Sequence, residues 1–444
     1  MVDNHNNNNP RQRLGRRKFL TLVGGTALGS LAGCSSDGQD GGSGGDGSDG
    51  RSTNRNDVPG QVSIGMVAPL DGPFANFGRP GEVAFNWTID QINQDGGIES
   101  LGGAELVGES VNAGDSTDAA TTATQDLLSN DEMAAAMGTV ISSFTLGATS
   151  VAEREQIPWI TQSYSDKIVN RGFEFTFKTT PSSMRLTQNQ IDNTLTLAEQ
   201  NDINISRTAI LADNTAASEG FRNALKELIP ETDIEIVWDE AWTPTLDDVT
   251  AIVDQIENTD LDGLWFFAVS LPDIVQLRQE TVSRDITVPW LTQGSNITIP
   301  EVYNNLGSDV VNGMFTQTGA NMMSGQKDLV SSFAEDTGQP YIQEQTASYI
   351  GMVRIVAEAL EMAGSTDSVA IRDAIAEMEV SDGLVPQTFP VDTVMFNDNG
   401  QMADVDGTFV QYQDTGNEEY IQSEIAPFTL APNAYAQREP IWER

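Results

Sequence analysis

From Val62 onward, short apolar runs alternate with stretches in which apolar residues recur every three or four positions. Val62-Ser-Ile-Gly-Met-Val67 reads as a buried strand that breaks at Pro69-Leu70-Asp71-Gly72-Pro73. Phe85, Ile89 and Ile92 then fall at i, i+4 and i+7 of a helix. A strand over 105–112 follows, then a helix over 118–128 capped by Ser116 or Thr117, and a third strand over 133–140. Ser142-Ser143-Phe144-Thr145 opens the next helix, and Ile157-Pro158-Trp159-Ile160-Thr161 makes the next strand. The alternation continues with helices over 191–199, 219–229, 249–257 and 273–283. The strands between them cover 208–212, 234–238, 263–268 and 288–292. Strands and helices alternating through short loops predict an α/β fold with parallel sheets flanked by helices.

One internal repeat gives the alternation a larger order. Ile157-Pro158-Trp159-Ile160-Thr161-Gln162-Ser163 recurs as Val288-Pro289-Trp290-Leu291-Thr292-Gln293-Gly294-Ser295. Each copy follows a helix and holds the same place in its series, so we read two related α/β lobes. Ligands of open parallel sheets gather at the carboxyl ends of the strands, where helix N-termini also point. Two such lobes facing each other make a cleft.

Upstream of Val62 the pattern changes. Arg16-Arg17-Lys18-Phe19-Leu20 precedes a weakly apolar run ending in Leu31-Ala32-Gly33-Cys34. A twin-arginine pair before such a run is an export signal, and small residues before a Cys form a lipid-attachment box. The alternative is that Cys34 is incidental, but it is the single Cys of the chain. Residues 1–34 are therefore expected to be a twin-arginine lipoprotein signal. Residues 35–57 carry no apolar side chain and are expected to be a flexible Gly/Ser/Asp tether. No later stretch approaches the roughly 20 apolar residues of a membrane span. The expectation is a domain anchored by lipid to the extracellular face of the cell membrane.

Charge narrows the partners. The chain has 23 Lys and Arg against 65 Asp and Glu. The first 34 residues hold five of those bases and one of the acids, so residues 35–444 carry 18 against 64, a net charge of −46. Such a surface repels nucleic acid and anionic lipid. The acids are dispersed and only four Lys follow residue 34, which fits a halophile whose high salt screens the self-repulsion. The single His, His5, lies in the leader. Ser-His-Asp and Cys-His catalysis, zinc sites with N or S ligands and disulfides are thereby removed. No cofactor and no metal site is expected. Carboxylate-pair hydrolysis remains open, but among so many acids no pair is distinctive.

The run Ser63-Ile-Gly-Met-Val-Ala-Pro-Leu-Asp-Gly-Pro-Phe-Ala-Asn-Phe-Gly78 resembles the opening of the branched-chain amino-acid-type (leucine/isoleucine/valine-binding-like) solute-binding proteins of ABC importers. Ile92-Asn-Gln-Asp-Gly-Gly-Ile98, Asp115–Ala119, Gly138–Arg171, the helices from Tyr349 to Ala374 and Phe396-Asn-Asp-Asn-Gly-Gln401 extend the likeness over residues 60–425. The resemblance implies a type I periplasmic-binding fold, with two Rossmann-like lobes and a hinge cleft between them. Lobe 1 is then expected over 58–180 plus 317–395, and lobe 2 over 181–316 plus 396–444. Crossovers are expected near Thr180-Pro181, Gly313–Thr318 and Pro390–Gly400. The implied partners are a small solute and the ABC permease and ATPase subunits, with the binding protein a monomer and not an enzyme.

Residue by residue, the resemblance places the ligand carboxylate on Ser142, at the start of the Ser-Ser-x-Thr turn, with Ser143 beside it. Ser163, Tyr164 and Ser165 follow the Pro-containing strand and complete that side. Hydroxyls and N–H groups at a helix N-terminus bind a carboxylate without a buried cation. An ordinary helix cap is the alternative for Ser142, and loop core the alternative for Phe77, which otherwise covers the ligand side chain. In the second lobe the expected contacts are Asp213, Ser270 and Ser295. This lobe departs from the family: Ala216 and Ala217 stand where an aromatic is usual, and Ser270-Leu271 replaces a Tyr pair. The acid that holds an α-ammonium is missing, since no Asp or Glu lies between Pro289 and Pro300. Either another acid, such as Asp213, Glu219 or Asp273, turns into the cleft, or the solute is an amide, urea-like or a small carboxylate. A ligand-sensing receptor of the same fold and an extracellular carboxylate-dependent hydrolase are the alternative functions.

Overall fold

Two mainly parallel sheets grow out of the strand–helix alternation in a computed structural model that describes residues 59–411, apart from 201, 312–313, 321–326 and 340–341. The expected leader, Cys34, the tether over 35–57 and everything beyond 411 lie outside the described residues. The first sheet holds β1 (Gln61–Ala68), β2 (Glu105–Asn112), β3 (Met133–Gly138), β4 (Trp159–Thr161) and β5 (Thr176–Lys178). Its order is β2-β1-β3-β4-β5, with every neighbouring pair parallel. Helices α1 (Ala75–Gln94), α2 (Thr117–Leu128) and α3 (Ser142–Glu155) connect its first four strands.

The second sheet holds β6 (Arg207–Asp213), β7 (Glu235–Trp242), β8 (Gly263–Phe267), β9 (Trp290–Gln293), β10 (Phe315–Thr318) and β11 (Thr408–Gln411). It runs β11-β10-β9-β8-β6-β7, antiparallel only between β10 and β11. The helices α4 (Ser183–Gln200), α5 (Ala216–Leu228), α6 (Thr250–Glu257) and α7 (Leu271–Ser283) flank it, with short α8 (Pro300–Leu306) and α9 (Ser308–Val311) before β10. The chain then returns to the first lobe through α10 (Lys327–Thr337), α11 (Glu344–Ala363), α12 (Ser368–Ala376) and α13 (Leu384–Gln387). The series β2-β1-β3-β4-β5 and β7-β6-β8-β9-β10 follow one pattern. Accordingly β4 and β9, which carry the repeated Trp-x-Thr segment, are structural equivalents.

Local chemistry explains the layout. β1 and β3 are buried along nearly their whole length, as strands covered by helices on both faces must be. β2 lies at the edge and exposes Glu105, Glu109 and Asn112. The strand expected over 133–140 stops at Gly138, because Gly138 (φ 128°) and Val140 (φ 71°) leave the extended region. Helix α4 starts at Ser183, well before the expected 191, with the Ser182 hydroxyl accepting from the Arg185 N–H at 3.2 Å. The polar run before Ile191 hides that first turn from a reading of apolar spacing.

Each sheet has its own core. Ile64, Met66, Phe85, Met137 and Ile160 pack with Tyr349, Val353 and Val356 of α11 and with Val394, Met402 and Val405. Helices α1 and α11 come together at Gly81, where a Cβ would stand 2.4 Å from the Tyr349 ring. Ile210, Trp265, Phe266, Trp290 and Phe315 form the second core with Phe409. Strand β10 belongs to the second sheet through Thr318, past the expected boundary at 317. Val405 still packs in the first core, so the last passage comes at 406–407 rather than at 396. Three passages therefore join the lobes. Beside two of them sits Lys178, fully buried, whose Nζ donates to Pro181 O (2.7 Å), Gln401 Oε1 (3.0 Å) and Thr180 O (3.2 Å) and lies 3.3 Å from Asp166 Oδ1. Burial pulls its amine down to about 8, with Asp166 opposing.

Candidate functional site

The strand ends and helix starts of both lobes converge on one small cavity of about 70 Å³. Val140, Ile141, Ser142 and Ser143 line it from the turn between β3 and α3, and Gln162 and Tyr164 from the segment after β4. From the second lobe come Thr215–Ser218, Ala268, Val269 and Gln293–Asn296. Glu344 and Gln345 enter at the start of α11. Gln162 and Gln293 follow the same Trp-x-Thr motif in the two sheets, and both lie on the wall. Phe77 also lines the cavity and packs into the second lobe's core, although α1 belongs to the first.

Ser142 is the first residue of α3 and not its cap. Ile141 holds the cap position and offers no side-chain acceptor, so the first-turn N–H groups stay uncapped at the wall. The Ser142 Oγ accepts from the Ser165 N–H at 3.2 Å, which leaves its own proton to donate. An uncapped helix start with an added hydroxyl suits an anionic or carbonyl oxygen.

Four expected contacts stand behind the wall. The Ser163 Oγ donates to Val140 O at 2.8 Å and lies 2.6 Å from Thr145 Oγ1, so it braces the β3–α3 turn. Ser165 contributes its N–H to Ser142 and does not line the cavity. Asp213 accepts from Thr215 Oγ1 (2.6 Å), Thr215 N–H (3.1 Å) and Val269 N–H (2.6 Å), which ties down two second-lobe loops. Ser270 is buried at the cap position of α7, also off the wall. Ser295 is on the wall and its Oγ accepts from Gln345 Nε2 at 2.7 Å.

Of the three acids considered for a second-lobe counter-charge, none faces the cavity. Asp213 is engaged as described, and Asp273 accepts from Trp242 Nε1 (2.8 Å) and Leu246 N–H (2.9 Å). Glu219 is half-exposed and pairs across the rim with Lys167 at 3.4 Å. The acid on the wall is Glu344, which the apolar pattern around Tyr349 gives no reason to single out. It is 1 % exposed, and burial pushes its carboxyl up to about 7 against the hydrogen bond from Tyr164. Tyr164 donates to Glu344, accepts from the Gly319 N–H at 2.8 Å and sets its ring edge-on to Phe221 at 5.3 Å. Burial and the Glu344 charge hold its phenol well above the ordinary range. Tyr164 thus links the first lobe, the passage after β10 and the second lobe.

Among the described residues no His/Cys/Asp/Glu cluster is placed to hold a metal ion, and no helix is long and apolar enough to cross a membrane.

Comparisons with known proteins agree with this architecture. The periplasmic binding protein family matches residues 61–417. A Leu/Ile/Val-binding protein homolog 8 of Brucella abortus (strain 2308) is 20% identical over 364 residues, 80% of this chain and 88% of that protein. The branched-chain amino acid transporter substrate binding protein of Streptococcus pneumoniae, solved with isoleucine, superposes with a TM-score of 0.65 at 19% identity, over 79% of this chain and 99% of its own. A solute binding protein of an ABC transporter from Rhodopseudomonas palustris, solved with 3,4-dihydroxybenzoic acid, gives 0.66 at 15% identity, over 80% and 93%.

Proposed function

The chain belongs to the periplasmic binding protein family, and from that premise we propose that it captures a small polar solute in the interlobe cleft for an ABC importer. The observation that carries this reading is the convergence of both lobes on one small cavity whose wall mixes apolar side chains with hydrogen-bonding groups. The uncapped start of α3 with Ser142 receives an oxygen of the solute, and Phe77 covers its apolar part. The fold alone does not choose the solute, since the two structural neighbours were solved with an amino acid and an aromatic acid. We place the ligand in the branched-chain amino acid, amide or small carboxylate class. Two carboxylates are needed for carboxylate-pair hydrolysis, and the wall offers Glu344 alone among the described residues, which favours binding over catalysis.

In this reading Cys34 carries the lipid, residues 35–57 hold the domain off the membrane, and a permease with its ATPase takes the solute from a monomeric closed form. The net charge of −46 after residue 34 suits a salt-rich exterior. The test is a thermal-shift screen in molar salt against amino acids, amides and small carboxylates. A solute at 100 times its Kd stabilises by about 2.7 kcal/mol, a clear shift. If no compound moves the melting temperature at millimolar concentration, solute binding in this class is refuted.

A further inference from the structure

Several polar atoms on the cavity wall lack a hydrogen-bond partner: Glu344 Oε2, Gln345 Oε1, Asn296 Oδ1 and both side-chain polar atoms of Gln162. These residues are only 1–4 % exposed. Two of the amides are already held by their nitrogen ends. Gln345 Nε2 donates to the Ser295 Oγ at 2.7 Å, and Asn296 Nδ2 donates to Ala268 O. Their oxygens are thereby left over on the wall of the same cavity as a carboxylate oxygen in the same state. No Lys, Arg or His lines the cavity among the described residues, so its one side-chain charge at neutral pH is negative.

Buried acceptors without donors are costly, and an ionised carboxylate most of all. The Gln162 amide, free at both ends, can still donate as well as accept, but what relieves the Glu344, Gln345 and Asn296 oxygens together is a group with several N–H donors, no acceptor and a positive charge. We propose that Glu344, Gln345 and Asn296 form the receiving site for a primary ammonium group of the solute. This rests on the solute-binding reading and narrows it to amine-bearing solutes. An ammonium presents three donors and no acceptor, which matches three free oxygens, one of them the carboxylate's. The counter-charge missing after β9 is then supplied from the return helix α11 of the first lobe. The neighbouring second-lobe position, Asn296, contributes a neutral oxygen. Because α11 and the turn after β9 belong to different lobes, the ammonium is held from both sides. A solute lacking nitrogen leaves the acceptors unfilled and meets repulsion from Glu344 if it carries its own carboxylate.

The test compares solutes of one skeleton by calorimetry in molar salt at pH 8: L-leucine, isoamylamine without the carboxylate, and 4-methylpentanoate without the nitrogen. The full chain and its Glu344→Gln variant are titrated side by side, with circular dichroism melts as the folding control. The expected result is that leucine binds at least 100-fold more tightly than 4-methylpentanoate, and that Glu344→Gln removes most of that preference. A second readout needs no variant. An ammonium beside Glu344 expels the fraction of a proton the carboxyl carries at pH 7, because Tyr164, the only other titratable side chain on the described wall, keeps its proton there. Titrations repeated at pH 7 in two buffers of different ionisation enthalpy should therefore show proton release. Equal affinity of wild type and Glu344→Gln for an amine-bearing solute overturns the inference. So does a solute without protonated nitrogen that both proteins bind equally well, and that outcome leaves the solute-binding reading standing. Failure of every solute in the broader screen overturns the solute-binding reading itself.

Discussion

Replacing Glu344 by Gln should make the ligand-free protein more stable above neutral pH, although it removes a hydrogen-bonding acid from the centre of the molecule. Burial raises the Glu344 carboxyl from its usual 4.5 to about 7. The folded state therefore holds a proton there that the unfolded chain has released. Stability is fully retained below about 4.5 and is lost as the pH rises through 7, where folding must bury the charge. A shift of that size corresponds to about 3 kcal/mol. Gln keeps the shape and one acceptor for Tyr164, at a cost of about 1 kcal/mol for the weaker bond. The variant should then be ahead by about 2 kcal/mol at pH 8.5, which for a unit of this size is about 3 °C. At pH 4.5 the advantage should vanish or reverse. The assay is a series of calorimetric melts in molar salt from pH 4.5 to 8.5, read as the difference between the two proteins so that the exposed acids cancel. A difference that stays flat across this range, or a variant less stable at pH 8.5, refutes the burial argument.

Lys178→Met should lower stability by about 2–4 kcal/mol, read from urea melts in molar salt, because Pro181 O, Thr180 O and the Gln401 Oε1 lose their common donor; an unchanged midpoint would show that the passages do not rely on it. The protein should lose its cooperative melt as salt falls toward about 0.1 M, where its charges are screened only beyond roughly 10 Å; a retained melt would remove the halophile interpretation. Cys34→Ser should release the protein into the medium, and sedimentation with membranes after an alkaline wash would contradict lipid attachment through that thiol.

Where apolar spacing is strong, the sequence reveals the fold. The strands around Ile64 and Leu211 and the repeated Trp-x-Thr strands β4 and β9 are legible as buried runs. β5, β10 and β11 are not, because three- or four-residue strands are stabilised by neighbours far along the chain and carry no periodicity of their own. The site divides in the same way. Phe77, Ser142, Ser143, Tyr164 and Ser295 reach the wall, whereas Ser163, Ser165, Asp213 and Ser270 serve the turns behind it. Hydroxyls at strand ends can do either, and only side-chain direction separates the two. Gln162 and Gln293 lie within the repeat but are not singled out by it, because the repeat speaks first for the strand. Glu344 is one acid among 65, delivered by a passage about 180 residues from the Tyr164 it meets, and no local signal marks it.

The most direct test of solute capture in this cleft is a calorimetric titration of the best solute from the screen into wild type and Ser142→Ala. The account predicts one site per chain in wild type. Removing a hydroxyl that donates to a charged oxygen should weaken binding by about 1.5–3 kcal/mol, ten- to more than a hundredfold. Saturable binding of unchanged affinity in Ser142→Ala would place the solute somewhere other than the start of α3 and contradict the account.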